Sequence, residues 1–353
     1  MIRFGLGGMI ALGTAPAGAG PMGPGGFSGA MGEGPRGSLA IRAVQGTAGA
    51  PQPTGNAVEV YFFHQDQPVH RVEATLDAMG LVMIGDLPVG MTLRPLVRID
   101  HTGVVYQETG PVLDAIHPSA AMEVVVYETT DVEPAWRVAT RQVVVAAGEG
   151  RVAVSESVFV DNPADRTWLG QDLGGHDSRT TVRLLLPAGA GNIQLVNGFH
   201  GWCCTGFEGE TLSVRMPLMP GRAVFEFSYE VSASEDGSAT LALGAKAPTD
   251  ELAVIVPETG ITAEAEGLSA GSVQISPQGP MRLYVGRSVG AEERPRIRLA
   301  GLGAPGLGVG FDPHVAPRSG GGWWRGLSVG WIGVGVVGVL GLAAVVMAVR
   351  RSG

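Results

Sequence analysis

The chain has 353 residues, 45% of them hydrophobic and 16% charged, with a formal net charge of −9. That is ample apolar material for two or three cores, and no basic run suits nucleic acid or an anionic lipid surface. The only two cysteines, Cys203 and Cys204, are neighbours, so a disulfide framework is excluded and the domains must stand on their cores.

The 56 glycines gather in the first forty residues, after Leu299 and in the last apolar stretch, leaving a middle of ordinary folded composition. At the N-terminus, Arg3 precedes a short apolar run from Phe4 to Leu12, and Ala17-Gly18-Ala19 offers small residues of the cleavage-site kind. This reads as a signal peptide over 1–19, the alternative being an unstructured Gly/Ala leader. Residues 20–37 hold too few large apolar side chains to fold and are expected to be a disordered, glycine-rich lead.

From Leu39 the texture changes to short alternating runs bounded by Gly, Pro, Asn and Asp, the mark of strands in a sandwich. The candidates are Leu39 to Val44, Val58 to His64, Leu81 to Leu87, Leu93 to Ile99, Gly103 to Glu108 and Met122 to Glu128. Within them TLDAMGLVMIGDLPVG, with Asp77, Gly80, Asp86, Leu87, Pro88 and Gly90, resembles the TxxxGxxxFxxLPxG hairpin of carboxypeptidase-regulatory-like domains. The resemblance covers residues 38–130 and implies a small prealbumin-like, Ig-like β-sandwich that acts as a scaffold or spacer and confers no catalysis. The residues themselves agree: Asp77 to Gly80 suits a tight turn with a glycine at positive φ, and Leu87-Pro88 turns the chain at an edge.

A polar, proline-bearing joint follows at Thr129 to Ala135. Strand texture then resumes in Trp136 to Ala146, Val152 to Val160, Thr180 to Leu186, Asn192 to Val196, Leu212 to Met216 and Ala223 to Val231, a second sandwich over 134–233. In its last strand Phe225, Phe227 and Tyr229 face away from Val224, Glu226 and Ser228. Residues 234–300, with strands at Leu252 to Pro257, Met281 to Val285 and Arg296 to Ala300, are either a small third β module or the completion of the second. Residues 301–322 form a Gly/Pro stalk, with an end-to-end distance of about 25 Å by random-coil scaling.

Leu327 to Val349 contains no ionisable side chain; about 23 residues at a rise of roughly 1.5 Å cover some 35 Å, enough to cross the hydrocarbon of a bilayer. Trp323 and Trp324 precede it and suit the headgroup level, while Arg350 and Arg351 follow it and suit the cytoplasmic side. Gly330, Gly333, Gly341, Ala344 and Ala348 share one face of this helix, a smooth groove for association with another helix, although glycine is common in membrane helices generally. The expected architecture is all-β: two or three tandem Ig-like or prealbumin-like sandwiches, a stalk, one C-terminal transmembrane helix and a tail of residues 350–353.

Candidate chemistry centres on Phe199-His200-Gly201-Trp202-Cys203-Cys204. Three readings compete. A vicinal disulfide between Cys203 and Cys204 is chemically possible in an oxidising compartment and is the reading a loop position favours, although it would be strained and easily reduced, because a trans peptide holds their Cα atoms about 3.8 Å apart. A metal site could use His200, Cys203 and Cys204, but adjacent side chains on an extended strand point to opposite faces and no further ligand cluster completes a tetrahedral set. The remaining reading is two small thiols flanking Trp202, buried or available to a partner.

Asp161, Asp165, Asp172, His176 and Asp177 fall in one connection, yet they lack the ordered alternation of a calcium loop, so a solvated loop anchored by Arg166 and Trp168 is expected. His64, His70, His101, His117 and His314 show no ligand spacing, and surface or edge positions are expected for them. GxSxG at Gly267 to Gly271 recurs at Gly326 to Gly330, and GxGxxG recurs in leader, stalk and span; both report glycine abundance, because neither sits in the strand-turn-helix context its chemistry needs. No catalytic constellation and no cofactor are implied. The sequence thus points to a membrane-anchored envelope protein with a binding, adaptor or structural role and a protein partner. The alternative is a membrane-tethered thiol or metal handling factor using Cys203, Cys204 and His200.

Overall fold

Period-two alternation decides which face of each strand is buried, and two separate apolar cores result. The computed structural model describes residues 34–148, 150–172, 179–258, 260–276 and 279–303. The residues expected to form a signal segment and most of those expected to form a stalk lie outside the described residues, as do Trp323, Trp324, the apolar stretch with its glycine face, Arg350 and Arg351. Among the described residues there is no α-helix and no helix long and apolar enough to cross a membrane.

The first sandwich uses β1 (Arg36–Gln45), β2 (Ala57–His64), β3 (Gln67–Thr75), β4 (Leu81–Pro88), β5 (Arg94–His101), β6 (Val104–Thr109) and β7 (Ser119–Val126). One sheet runs β4-β1-β7 and the other β3-β2-β5-β6. Strands β1 and β7 are parallel, Ser38 opposite Ser119 through Gln45 opposite Val126. Leu39, Ile41 and Ala43 of β1 meet Val58, Val60 and Phe62 of β2 and Val97 and Ile99 of β5 in the core. The expected turn is present: Asp77 Oδ1 accepts the amides of Met79 at 2.8 Å and Leu81 at 2.9 Å, and Gly80 sits at φ 72°. A Cβ on Gly80 would also lie 2.9 Å from the carbonyl oxygen of Pro53. Strand β4 is an edge and ends at Pro88.

Strand β8 (Thr129–Thr130) leads into the second sandwich, which holds β9 (Arg137–Gly148), β10 (Arg151–Asn162), β11 (Thr167–Trp168), β12 (Gln171–Asp172), β13 (Arg179–Thr180), β14 (Val182–Leu185) and β15 (Ala190–Asn197). It continues through β16 (Thr205–Glu208), β17 (Thr211–Val214), β18 (Gly221–Ser232), β19 (Ser238–Ala242), β20 (Gly244–Ala245), β21 (Thr249–Pro257), β22 (Thr262–Glu266), β23 (Ser269–Ser276), β24 (Gly279–Val289) and β25 (Arg296–Ala300). A seven-stranded sheet runs β15-β18-β10-β9-β21-β24-β23, and smaller sheets run β16-β17-β14-β20 and β19-β25-β22. Strand β21 lies parallel to β9 in one sheet, and Leu241, Leu252, Ile297 and Leu299 share one core with Val143, Val158 and Phe227.

A salt bridge crosses this second core. Arg141 and Glu156, with side chains 1% and 0% exposed, meet through Nε and Oε2 at 2.6 Å and through Nη2 and Oε1 at 3.0 Å. Tyr229 donates its hydroxyl to Glu156 Oε1 at 2.7 Å. The guanidinium also donates to the carbonyls of Gly244 and Leu185, which belong to the facing sheet. Burial alone would push the Arg141 guanidinium down, but the Glu156 charge overrides it and holds the group above its ordinary range. Burial, and next Glu156, push the Tyr229 phenol well up.

The two sandwiches meet at a polar seam. Strand β8 pairs in parallel with β11. Tyr106 donates its hydroxyl to the Tyr127 carbonyl at 2.9 Å and meets Thr167 Oγ1 at 2.7 Å. Thr47 Oγ1 donates to the Asp165 carbonyl at 2.6 Å, and Asp165 Oδ2 accepts the Ala48 amide at 3.0 Å. His101, expected at a surface or edge, is buried beside this seam because it shares the inward phase of Val97 and Ile99 on β5. Its ring lies between Asn56 Nδ2 at 3.2 Å and Glu128 Oε1 at 3.1 Å.

Replacing one partner of the core salt bridge, by Arg141→Met or Glu156→Leu, is expected to lower the unfolding free energy by roughly 3–5 kcal/mol because a buried charge is left alone. The triple replacement Arg141→Met/Glu156→Leu/Tyr229→Phe recovers part of that loss, since no buried charge is then left without its partner. Urea unfolding followed by tryptophan fluorescence measures both; a triple variant weaker than either single one contradicts the account.

Candidate functional site

The cysteine pair sits where the chain crosses from one layer of the second sandwich to the other. Strand β15 ends the seven-stranded sheet and β16 ends the four-stranded sheet, so the connection between them closes one open side. Pairing of β15 with β18 is irregular at Gly191/Gln194 and Leu195/Asn197, and the strand peels away. Gly198, at φ 81°, passes so close to β18 that a Cβ there would lie 1.9 Å from the Val224 carbonyl oxygen; only glycine fits. Phe199 then turns back onto the core edge, its ring 5.2 Å from Phe225 and 6.2 Å from Phe227.

Gly201, at φ 98°, opens a single 3-10 turn over Trp202–Cys204. The Cys204 amide donates to the Gly201 carbonyl at 3.3 Å, and the Arg215 amide donates to the Cys204 carbonyl at 2.8 Å. The latter bond ties the turn to the chain just beyond β17. Thr205 follows, buried, as the first residue of β16.

This geometry corrects the expectation that the two cysteine side chains point to opposite faces. That holds on an extended strand; in the 3-10 turn they share a side, and the sulfurs stand 3.3 Å apart as free thiols. Cys203 is exposed and Cys204 is half-buried. The Cys203 thiol also lies 3.5 Å from the His200 carbonyl oxygen, so His200 meets the pair through its backbone. Cys204 is pushed above its ordinary thiol range by its hydrogen bond with Cys203, then by burial and the neighbouring sulfur, while Arg215 opposes the shift. Among the described residues no group of three or more His, Cys, Asp or Glu side chains could hold a metal ion. Trp202 is 51% exposed and stands beside the thiols in sequence, away from the core.

The other candidates are engaged elsewhere. Asp161 receives a two-pronged contact from Arg222, at 2.7 and 3.0 Å, and Asp165 belongs to the seam; His176 and Asp177 lie outside the described residues. Trp168 is buried and anchors its loop; Arg166 is exposed, and its carbonyl accepts Asn162 Nδ2 at 3.3 Å. His64 Nδ1 lies 2.8 Å from the Thr92 carbonyl oxygen, His70 stacks on Phe62, and His117 faces Asp114; His314 lies outside the described residues. Ser269 of GLSAG begins β23, after a turn at Gly267 with φ 75°, and a strand follows it where a nucleophile elbow needs a helix. Of the residues that shape the thiol turn, Phe199 already opens the candidate stretch in the sequence, whereas Arg215 lies outside it. Phe199 carried a signal, as a large apolar side chain between two glycines; Arg215 carried none.

No family model matches the sequence, and no curated protein matches it. Among solved structures, the M1 zinc metallopeptidase from Deinococcus radiodurans is similar over 47% of this chain and 42% of its own, at 11% identity and a TM-score of 0.27. Legionella pneumophila aminopeptidase A, in complex with aspartic acid, is similar over 48% of this chain and 22% of its own, at 9% identity and a TM-score of 0.30. The chain spans less than half the length of either, and likeness at this level bears on neither activity nor site.

Because the hydrogen bond with Cys203 is the main cause of the raised Cys204 value, Cys203→Ala is expected to move Cys204 back towards the ordinary thiol range. More thiolate then exists at any pH below the midpoint, so alkylation of Cys204 by iodoacetamide speeds up near neutrality and its pH–rate midpoint falls. Peptide mass spectrometry across a pH series reads this, and an unmoved midpoint refutes the shared-proton geometry.

Proposed function

We propose that this chain is a membrane-anchored, extracytoplasmic scaffold whose β-sandwiches bind a protein partner at the cell envelope. The observation that carries the reading is the uncharged stretch from Leu327 to Val349, which is long enough to span a bilayer and too apolar to remain in water. Trp323 and Trp324 suit the headgroup level, and two arginines after the span, Arg350 and Arg351, against Arg325 immediately before it favour an N-terminus outside and a C-terminus in the cytoplasm. The face formed by Gly330, Gly333, Gly341, Ala344 and Ala348 favours close packing against a second helix.

Two features of the folded part support a non-catalytic role. Both sandwiches bury continuous apolar cores, and the polar groups concentrated between them are hydrogen-bonded to one another across the seam. In the first sandwich the Asp77–Gly80 turn and the edge strand ending at Pro88 are what the carboxypeptidase-regulatory-like hairpin requires, which favours that relationship for residues 38–130 and a spacer role with it.

The full chain is expected to sediment with membranes and to require detergent for release, while a version ending at Pro317 is released into the soluble fraction. Protease added to intact spheroplasts is expected to remove the sandwiches. Equal partition of the two versions, or sandwiches that survive the protease until the cells are lysed, overturns the assignment.

A further inference from the structure

We propose that Cys203 and Cys204 form a two-thiolate chelate for a soft, thiophilic ion of low coordination number, with trivalent arsenic as its representative chemistry. The inference rests on the thiol turn alone and is independent of membrane attachment.

The geometry favours a bridging atom over a bond between the sulfurs. They lie on one side of the turn, unbonded, at 3.3 Å, so one atom can reach both with little movement. Direct closure is opposed by the backbone, which sets the Cα atoms of adjacent residues about 3.8 Å apart, below the roughly 4.4 Å at which disulfides begin.

The ligand count selects the kind of ion. No third His, Cys, Asp or Glu among the described residues joins the pair, so a tetrahedral zinc set is incomplete. Two thiolates and an external ligand suit a soft ion that accepts two or three donors. The site is open to such an ion: Cys203 is exposed and Trp202 beside it projects into solvent. The turn is held by Gly198, by Phe199 on Phe225 and by the Arg215 amide, none of which depends on the sulfurs, so it presents the thiols without rearrangement.

The step balances without an oxidant. An arsenoxide, R–As=O, meets two thiols: both S–H bonds break, two As–S bonds form, and the oxygen leaves with the two protons as water. Arsenic remains trivalent and both sulfurs keep their oxidation state.

The test uses the full chain in detergent and phenylarsine oxide as the probe. One arsenical is expected per chain, with loss of both thiols that react with an aromatic disulfide reagent. Cys203→Ser and Cys204→Ser are each expected to hold the probe about a hundredfold more weakly against a competing monothiol, the loss that follows when a second attachment is removed. Circular dichroism should be unchanged in both, since neither thiol belongs to the core. The proposal is overturned if either single variant retains the probe as tightly as the parent, or if one thiol stays free at saturation. It is equally overturned if glutathione disulfide converts the pair to an intrachain bridge that survives excess glutathione, because the sulfurs would then prefer each other to a bridging ion.

Discussion

A buried charge that must be satisfied on every side governs the second sandwich. Arg141 and Glu156 are taken out of water on neighbouring strands, and each would be costly alone. Their pairing uses one edge of the guanidinium, Nε and Nη2, and the remaining donors on Nη1 and Nη2 reach carbonyls of the opposite layer at Gly244 and Leu185. The spacing between layers is thereby set by a rigid, planar group of fixed reach, where a purely aliphatic core would accept several spacings. Tyr229 on β18 adds a third strand to the arrangement. One polar cluster thus coordinates β9, β10, β18, β14 and β20, strands drawn from across the whole second half of the chain.

A β-bulge makes this possible. Pairing between β9 and β10 shifts at Phe159/Val160, so Val138 and Arg141 both face inwards although they are three residues apart. The extra residue changes the phase within one strand. Beyond it Arg141, Val143, Val145 and Ala147 keep strict alternation opposite Val152, Val154, Glu156 and Val158. The edges of the sheets are handled differently from place to place. Strand β4 ends in a proline, β3 carries His70, Arg71 and Glu73, and β15 is followed by the thiol turn. Strand β23 ends the seven-stranded sheet with no charged side chain at all.

Strands with one buried face were legible in the sequence, and strands without one were not. The runs that became β1, β2, β5, β10 and β18 alternate because they line a core. Strand β3 has no fully buried residue; only Val72 and Ala74 pack partly on the core, and its ladder to β2 leaves a much weaker periodic trace; β22 and β23 are mainly exposed. The parallel pairing of β9 with β21 joins residues 111 positions apart, as in Val138 opposite Thr249, and no local pattern encodes it. The salt bridge was legible in principle. Glu156 stands in VAVSESVFV at the same phase as Val154 and Val158, an inward carboxylate that demanded an inward cation, and His101 shares the phase of Val97 and Ile99 in the same manner. For the thiols, adjacency was plain from the residues, but whether the side chains diverge or converge depends on backbone dihedrals that Gly198 and Gly201 impose.

That last dependence separates the chemistry of the thiol turn from the stability of the fold. The turn is shaped by backbone that only glycine tolerates and by Phe199 seated on the rim of the core, while Cys203 itself makes no core contact. The salt bridge is the opposite case: every atom of its polar groups is tied to the packing of two layers, so its residues cannot change singly without loss of stability. A sandwich of this kind therefore concentrates its constraint in the interior and leaves the crossing between edge strands free to vary. In this chain the place so freed carries the only two sulfhydryl groups, on one side of one turn and open to solvent. Their convergence follows from the route the backbone must take from β15 to β16, and the pair needs nothing from the core except that it hold those two edges apart.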